Sequence, residues 1–347
     1  MKTNTLIATL ALGILATALG MQLLSNKQGK TEFSQRPLLE FNKPAFNLET
    51  VSKIEINRPG NRRVAASELV LQNWQLPGLH GYAADTKRLA ALLQSLSDAK
   101  VTELKTSKAK NHARLGLSGM ENIDSKAALL TLSNDQAEFK LLVGNTASSG
   151  GGQFVRFEGE DQTYLIDREL DLPDQVQDWL QADIFDVEYE QVRSLSVTNS
   201  EQDSFMVKRE ELKNEPNEQG PELPLSDKPD YALASNFELV GLPEGKELQY
   251  GSILDGLVRN VLGLTPKDVM LKDNASGFSQ HQQFELEYKT DEQLHSIGFS
   301  LLSDNTETPA FWLSRANSKW LVQLSEFDYK QISKTRDEFL QDRDPEE

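Results

Sequence analysis

The chain has 347 residues, 38% hydrophobic and 26% charged, with 36 Lys and Arg against 53 Asp and Glu for a formal net charge of −17. That length suits two domains of roughly 150 residues, the apolar share excludes a disordered chain, and the acidity argues against a nucleic-acid partner, because phosphate backbones repel it. Cysteine is absent, which removes disulfides, zinc–thiolate sites, a thiol nucleophile and lipidation of a cysteine after signal cleavage.

The first element is residues 6–24, LIATLALGILATALGMQLL, nineteen residues without a charge. As a helix it would be about 28 Å long, close to the roughly 30 Å hydrocarbon thickness of a bilayer. A single transmembrane helix is predicted, anchored by Leu6, Leu10, Leu12, Leu15, Leu19, Leu23 and Leu24. Residues 1–30 form this signal anchor and its tether. They hold Lys2, Lys27 and Lys30 and no acid, which leaves −20 on the remainder. Ala16-Thr17-Ala18 is a small-x-small site that a signal peptidase could read. Against cleavage, Leu19, Met21, Leu23 and Leu24 prolong the apolar run past it. The expected location is the inner membrane, single-pass, with the acidic bulk of the chain in the periplasm.

Beyond the tether the sequence repeats itself. Val51, Ile54 and Ile56 fall on Val192, Leu195 and Val197 at an offset of 141, each set alternating as a half-buried strand does. At an offset of 165, Leu89, Leu92, Leu93 and Leu96 fall on Leu254, Leu257, Val258 and Val261, the spacing of one apolar helix face. Asp85 is the start signal of the first helix; Ser252 with Asp255 three residues on is a capping box for the second. At an offset of 156, Leu130, Leu141, Phe157, Tyr164 and Ile166 fall on Leu286, Ile297, Leu313, Trp320 and Val322. The predicted fold class is α+β: two duplicated modules, 37–190 and 191–340, each an antiparallel sheet with helices on one face. An acidic, Pro-rich insertion over 210–230 interrupts the second. Each module is expected to end in a helical turn or short helix, Leu172 to Leu180 in the first, with Pro173 in its opening turn, and Ser325 to Phe339 in the second.

Residues that could carry chemistry do not assemble into a known pattern. The run from Gly144 to Gly152 lacks the Gly-Lys-Ser/Thr ending of a phosphate loop and lies between two strand patterns, so a hairpin loop is expected. His80, His112, His281 and His295 have no metal-ligand spacing, although His281 and His295 could meet across a hairpin. Gly116-Leu117-Ser118-Gly119 misses the Gly-x-Ser-x-Gly spacing of a nucleophile elbow, and reads as a turn. Acidic pairs such as Glu210-Glu211 fall in loops, where solvated charge is the ordinary reading. Trp74, Trp179, Trp312 and Trp320 read as packing residues, and would mark a sugar or peptide site only if several lined one groove. No catalytic, cofactor-binding or metal residue is assigned, and no enzymatic activity is expected.

The order of these features resembles a bacterial family, domain of unknown function 4340. The resemblance rests on the N-terminal apolar segment, the strand from Val51 to Ile56, Trp74-Gln75-Leu76 and the helix from Asp85 to Leu96. It continues through Arg114-Leu115-Gly116-Leu117, Val143-Gly144-Asn145, Phe154-Val155-Arg156, Tyr164-Leu165-Ile166 and Trp179. The family's usual Asp-x-Pro after the Gly-Leu pair is replaced here by Ser118-Gly119-Met120. What the resemblance implies is a membrane-anchored periplasmic accessory subunit of an ABC-transporter-like complex. Its partners would be the transporter permease and a gliding-motility-type auxiliary protein, with no cofactor. The alternative is a periplasmic binding module that takes a peptide, glycan or lipid in the cleft between its modules.

Overall fold

The computed structural model describes residues 35–343, apart from 61, 149–150, 200–202, 211–235 and 292. The anchor leucines Leu6 to Leu24, the tether to residue 34 and nearly all of the acidic insertion lie outside the described residues. Among the described residues no helix is long and apolar enough to cross a membrane. The chain divides into two compact units, Met1–Trp179 and Leu180–Glu347. Both are mixed α and β, and every strand pairing among the described residues is antiparallel.

Unit 1 holds β1 (Arg36–Pro37), β2 (Lys53–Arg58), β3 (Arg62–Val70), β4 (Asn73–Leu76), β5 (Tyr82–Ala83), α1 (Thr86–Asp98) and β6 (Lys100–Leu104), then β7 (Ala128–Ser133), β8 (Glu138–Thr146), β9 (Gln153–Phe157) and β10 (Thr163–Ile166). They form one sheet in the order β1-β6-β10-β9-β8-β7-β2-β3-β4-β5. Alternation explains the central strands: Ile54 and Ile56 on β2 face Leu132 and Leu130 on β7, all four fully buried. Each such side chain taken out of water stabilises the fold by about 1.5–3 kcal/mol before entropy is counted. Helix α1 adds Leu89, Leu92 and Leu96 to the core. Its start is as the sequence indicates, the Asp85 carboxylate accepting from the amides of Lys87 at 2.9 Å and Arg88 at 3.1 Å.

Strand β7 is buried on both faces, which a sheet with one solvated side would not require. The reason is the connection between β6 and β7. It lays Leu117, Met120 and Ala127 over the outer face, where they pack with Leu129 and Leu142.

Unit 2 holds β11 (Val192–Asn199), β12 (Ser204–Arg209), β13 (Phe237–Leu239), β14 (Lys246–Leu248), α2 (Ile253–Leu262), β15 (Asp268–Leu271), β16 (Ser279–Thr290), β17 (Gln293–Ser303), β18 (Phe311–Arg315), β19 (Trp320–Leu324), α3 (Glu326–Ile332) and β20 (Leu340–Asp342). Its main sheet runs β13-β12-β11-β16-β17-β18-β19-β15, and β14 pairs with β20 separately. Read from β15, this is the order β6-β10-β9-β8-β7-β2-β3-β4 of unit 1, strand for strand.

The ladder registers bear on the repeat hairpin by hairpin. Leu130 faces Leu141 and Leu286 faces Ile297, so the offset of 156 holds from β7 and β8 to β16 and β17. Ile56 faces Leu130 whereas Leu195 faces Leu286, so with that hairpin aligned the first strand stands at an offset of 139, two residues from the 141 of the sequence pattern. On the other side Val143 faces Val155 and Phe299 faces Arg315, an offset of 160 for β9. The differences are even, so the inward and outward sides are unchanged and the apolar pattern looks continuous.

Three local expectations change. Ser252 makes no cap bond to α2, and Asp255, its supposed partner, is buried and bonded elsewhere. The closing segment of unit 2 is two pieces, α3 and a 3₁₀ turn at Arg336–Phe339, separated at Ser333 to Thr335. In unit 1 the turn is 3₁₀ over Val176–Trp179, and Pro173 lies before it.

Candidate functional site

The motifs that carry the family resemblance come together in unit 1, on the outer side of β7–β9. Residues Ala109–Leu115 form a 3₁₀ helix closed by Gly116, and the Leu117 amide then donates to the His112 carbonyl at 2.9 Å. Gly144 on β8 passes directly beneath. A Cβ there would lie 2.4 Å from the Leu115 carbonyl oxygen, so only glycine lets the two backbones approach this closely. Arg156 on β9 is buried and closes the arrangement, donating to the carbonyls of Glu160 at 2.7 Å and Leu117 at 3.2 Å. Burial holds its pKa below the ordinary value, an effect countered by the charges of Asp161, Glu121 and Glu158. His112, also buried, is spent in the same way, its Nε2 2.9 Å from the Asp161 carbonyl.

Next to this knot a strap of chain, Asp167 to Trp179, is pinned along its length. The Gln153 side chain accepts from the Leu170 amide at 2.9 Å and donates to the Gly144 carbonyl at 3.2 Å. Arg58 pairs with Asp174 at 2.7 Å, and the Asp178 carboxylate accepts from the amides of Asp174 and Gln175. Asp85 donates its amide to the Trp179 carbonyl at 2.8 Å, and Arg88 reaches the Asp178 carbonyl. Two cavities flank Asp171 and Leu172. One of about 240 Å³ is lined by Arg88, Leu92, Pro173 and Trp179. The other, about 300 Å³, is lined by Arg58, Lys126, Gly144 and Glu169. These volumes lie at or below the small end of ligand pockets and suit a small polar molecule or a chain end.

Among the described residues of unit 2, Asp255 is the buried charged side chain. Asp255 on α2 accepts from the Tyr189 hydroxyl, and from Asn236 through its amide at 3.2 Å and its side chain at 3.0 Å. Arg259 lies 3.7 Å from the centre of the Tyr189 ring, and Arg209 lies 4.5 Å from that of Phe237. The centre fastens the chain entering β11 to α2. Burial, and then the bond to Asp255, raise the Tyr189 pKa, partly opposed by Asn236 and Arg259. A raised pKa makes this contribution fully present below about pH 10 and lost as pH rises through the folded value. Tyr189→Phe is therefore expected to cost about 1–2 kcal/mol at pH 8, because it removes a bond to a buried charge on a half-buried phenol. It should also flatten the fall in stability above pH 10. Urea unfolding at pH 8 and pH 10.5 checks both; an unchanged alkaline slope would assign the effect to other tyrosines.

The residues singled out in the sequence are scattered by comparison. The glycine run is the β8–β9 connection, as expected, with residues 149–150 outside the described set. His281 bonds to Ser303 at 2.7 Å while His295 stacks on Tyr288, so the two do not meet. Trp179 and Trp312 are buried, whereas Trp74 and Trp320 are half-exposed. Among the described residues no three His, Asp or Glu side chains stand close enough to hold a metal ion. Sequence reading placed Arg156 in a motif and Asp255 in a cap but missed that both are buried hydrogen-bonding centres. The available signal was a charge flanked by apolar residues, in Phe154-Val155-Arg156-Phe157 and in Ile253-Leu254-Asp255, where a solvated face would not be expected.

Comparison with known proteins returned no matching curated protein and no matching solved structure. Residues 74–240 match the family described as Domain of unknown function (DUF4340), from β4 through the strap and on to the end of β13. Over that span, which contains the Gly116–Gly144–Arg156 knot, the chain resembles the DUF4340 family.

Proposed function

We propose that this chain is a non-enzymatic accessory subunit of an ABC-transporter-like complex, acting through protein–protein contacts. Leu6 to Leu24 hold it in the inner membrane, and two copies of one α+β module stand in the periplasm. Equal strand order and the shared offset of 156 in the central hairpin support the duplication. The observation that carries the docking role is the division of charge. Met1–Trp179 contains 20 Lys and Arg against 20 Asp and Glu, and Leu180–Glu347 contains 16 against 33, so the whole net charge of −17 belongs to unit 2. A first unit whose body beyond residue 30 carries only −3 and a second, strongly acidic unit that can meet a basic partner domain suit an adaptor, since complementary charge steers and selects partners. The buried polar side chains Arg156, His112 and Asp255 are occupied in holding backbone or a neighbouring element.

The test is purification of the full chain from mild detergent at low and at high ionic strength. Transporter subunits should co-purify at low salt and be lost as salt screens unit 2. Recovery of the chain alone at low ionic strength would sink the reading. Retention of a small ligand, with a thermal shift on adding it, would move the function to the two cavities.

A further inference from the structure

Unit 1 carries a hairpin that breaks local rules at its tip. Val70 pairs with Asn73, leaving a two-residue turn of Leu71 and Gln72. Both have positive φ, 48° and 66°. Such a turn strongly prefers Asn-Gly, and a branched apolar residue there is strained. Leu71 is also 91% exposed, with Leu69 and Val70 beside it at 39% and 40%. Trp74 lies opposite Leu69 on the same face of the ribbon. The surroundings are unusual too. From Leu69 to Ala84, sixteen residues carry no Lys, Arg, Asp or Glu in a chain that is 26% charged.

We propose that the β3–β4 hairpin seats its Leu69-Val70-Leu71 tip in the interface of a lipid bilayer. The inference rests in part on the anchored reading above. Three observations favour lipid over a protein occupant. An uncharged segment with an apolar tip and flanking Trp74 and Tyr82 has the composition of the headgroup boundary, where aromatic rings settle. The body of the unit that carries it, residues 31–179, holds 17 Lys and Arg against 20 Asp and Glu, a net −3 against the −17 of unit 2, so an anionic surface repels it far less than it repels unit 2. Finally, β1, where the chain enters, and β4 are eight strand spacings apart, at most about 38 Å. The eleven residues Ser25 to Gln35 span up to roughly 40 Å, so the tip can reach the membrane that holds Leu6 to Leu24.

The absence of cysteine makes the test direct. Leu71→Cys in the full chain carries a polarity-sensitive fluorophore, with Asp291→Cys, at the β16–β17 turn of unit 2, as control. Both are read in an excess of vesicles of phosphatidylethanolamine and phosphatidylglycerol. The label at 71 should shift to the blue, resist aqueous iodide and be quenched several-fold more by lipid-borne spin labels than the label at 291. A label at 71 that stays water-like overturns the proposal, and so does one that shifts only when a partner protein is added. Loss of the protein from carbonate-washed vesicles would mark failure of the anchor, while the label in excess vesicles still scores the hairpin. Leu71→Asn supplies a second measurement. It should raise the urea midpoint by relieving the turn and reduce spin-label quenching of a probe at Gln72→Cys. A lowered midpoint would make Leu71 a packing residue and overturn the proposal.

Discussion

Gly152→Ala is expected to cost about 3–5 kcal/mol of unfolding free energy, while Gly151→Ala, one residue earlier, costs only about 1–2 kcal/mol. Both glycines have positive φ, 72° at Gly151 and 91° at Gly152, so both substitutions pay for a backbone conformation that L side chains avoid. They differ in what the new methyl meets. At Gly151 nothing lies within 4 Å. At Gly152 the Cβ would stand 2.0 Å from the carbonyl oxygen of Ile166, which belongs to β10 and is paired opposite Gln153. Backbone on a paired strand cannot swing aside as a flexible side chain can, so the β8–β9 connection or the end of β10 must move. The Gly152 carbonyl also accepts from the Ala147 amide at 2.9 Å, closing the loop that would have to shift. Urea midpoints for the two variants, at constant slope, measure the contrast. Equal midpoints would show that the loop relaxes freely and that the close approach carries no stability.

This pair shows where sequence was readable and where it was not. A run of glycines announces a loop, and the loop is there. Which glycine is irreplaceable depends on Ile166, fourteen residues away and in another strand, and no local pattern records that. The same division holds across the fold. Ile54, Ile56, Leu130 and Leu132 alternate, so their strands and inward faces were legible, and Asp85 was legible as a cap because capping is a contact between near neighbours. The ladder register was legible only in part: the offset of 156 holds across the β7–β8 hairpin, while even slips in the strands on either side preserve alternation and leave no mark on the pattern. Ser252 and Asp255 have the spacing of a capping box, yet a long-range demand took Asp255 away: Tyr189, 66 residues earlier, and Asn236 both donate to it. At the candidate site, the motif residues Leu117, Gly144 and Arg156 were visible as motifs, but their convergence on one knot needed the fold.

Arg156→Ala is expected to be the other severe change, at about 2–4 kcal/mol, and its cause can be separated from simple loss of packing. The residue is 8% exposed, and its guanidinium bonds two carbonyls and has an Nε without a partner. Burying a charge carries a desolvation cost, and removing it altogether recovers some of that cost. Truncation to alanine nevertheless leaves the Leu117 and Glu160 carbonyls without their donor and opens a void beside Leu117 and Leu142. Arg156→Met fills most of the void and sheds the desolvation cost but still strands the carbonyls, so it should lie near 1–2 kcal/mol. Arg156→Lys keeps the charge with a single donor head that cannot span both carbonyls, and should fall nearer alanine than methionine. Because the guanidinium stays protonated despite its lowered pKa, all three losses should be independent of pH between about 6 and 9. Methionine as costly as alanine would mean that the two carbonyl bonds, not volume, hold the knot. Methionine at wild-type stability would mean that Arg156 is retained for something other than the fold, and would make the surface above Leu117 the first place to look for a partner.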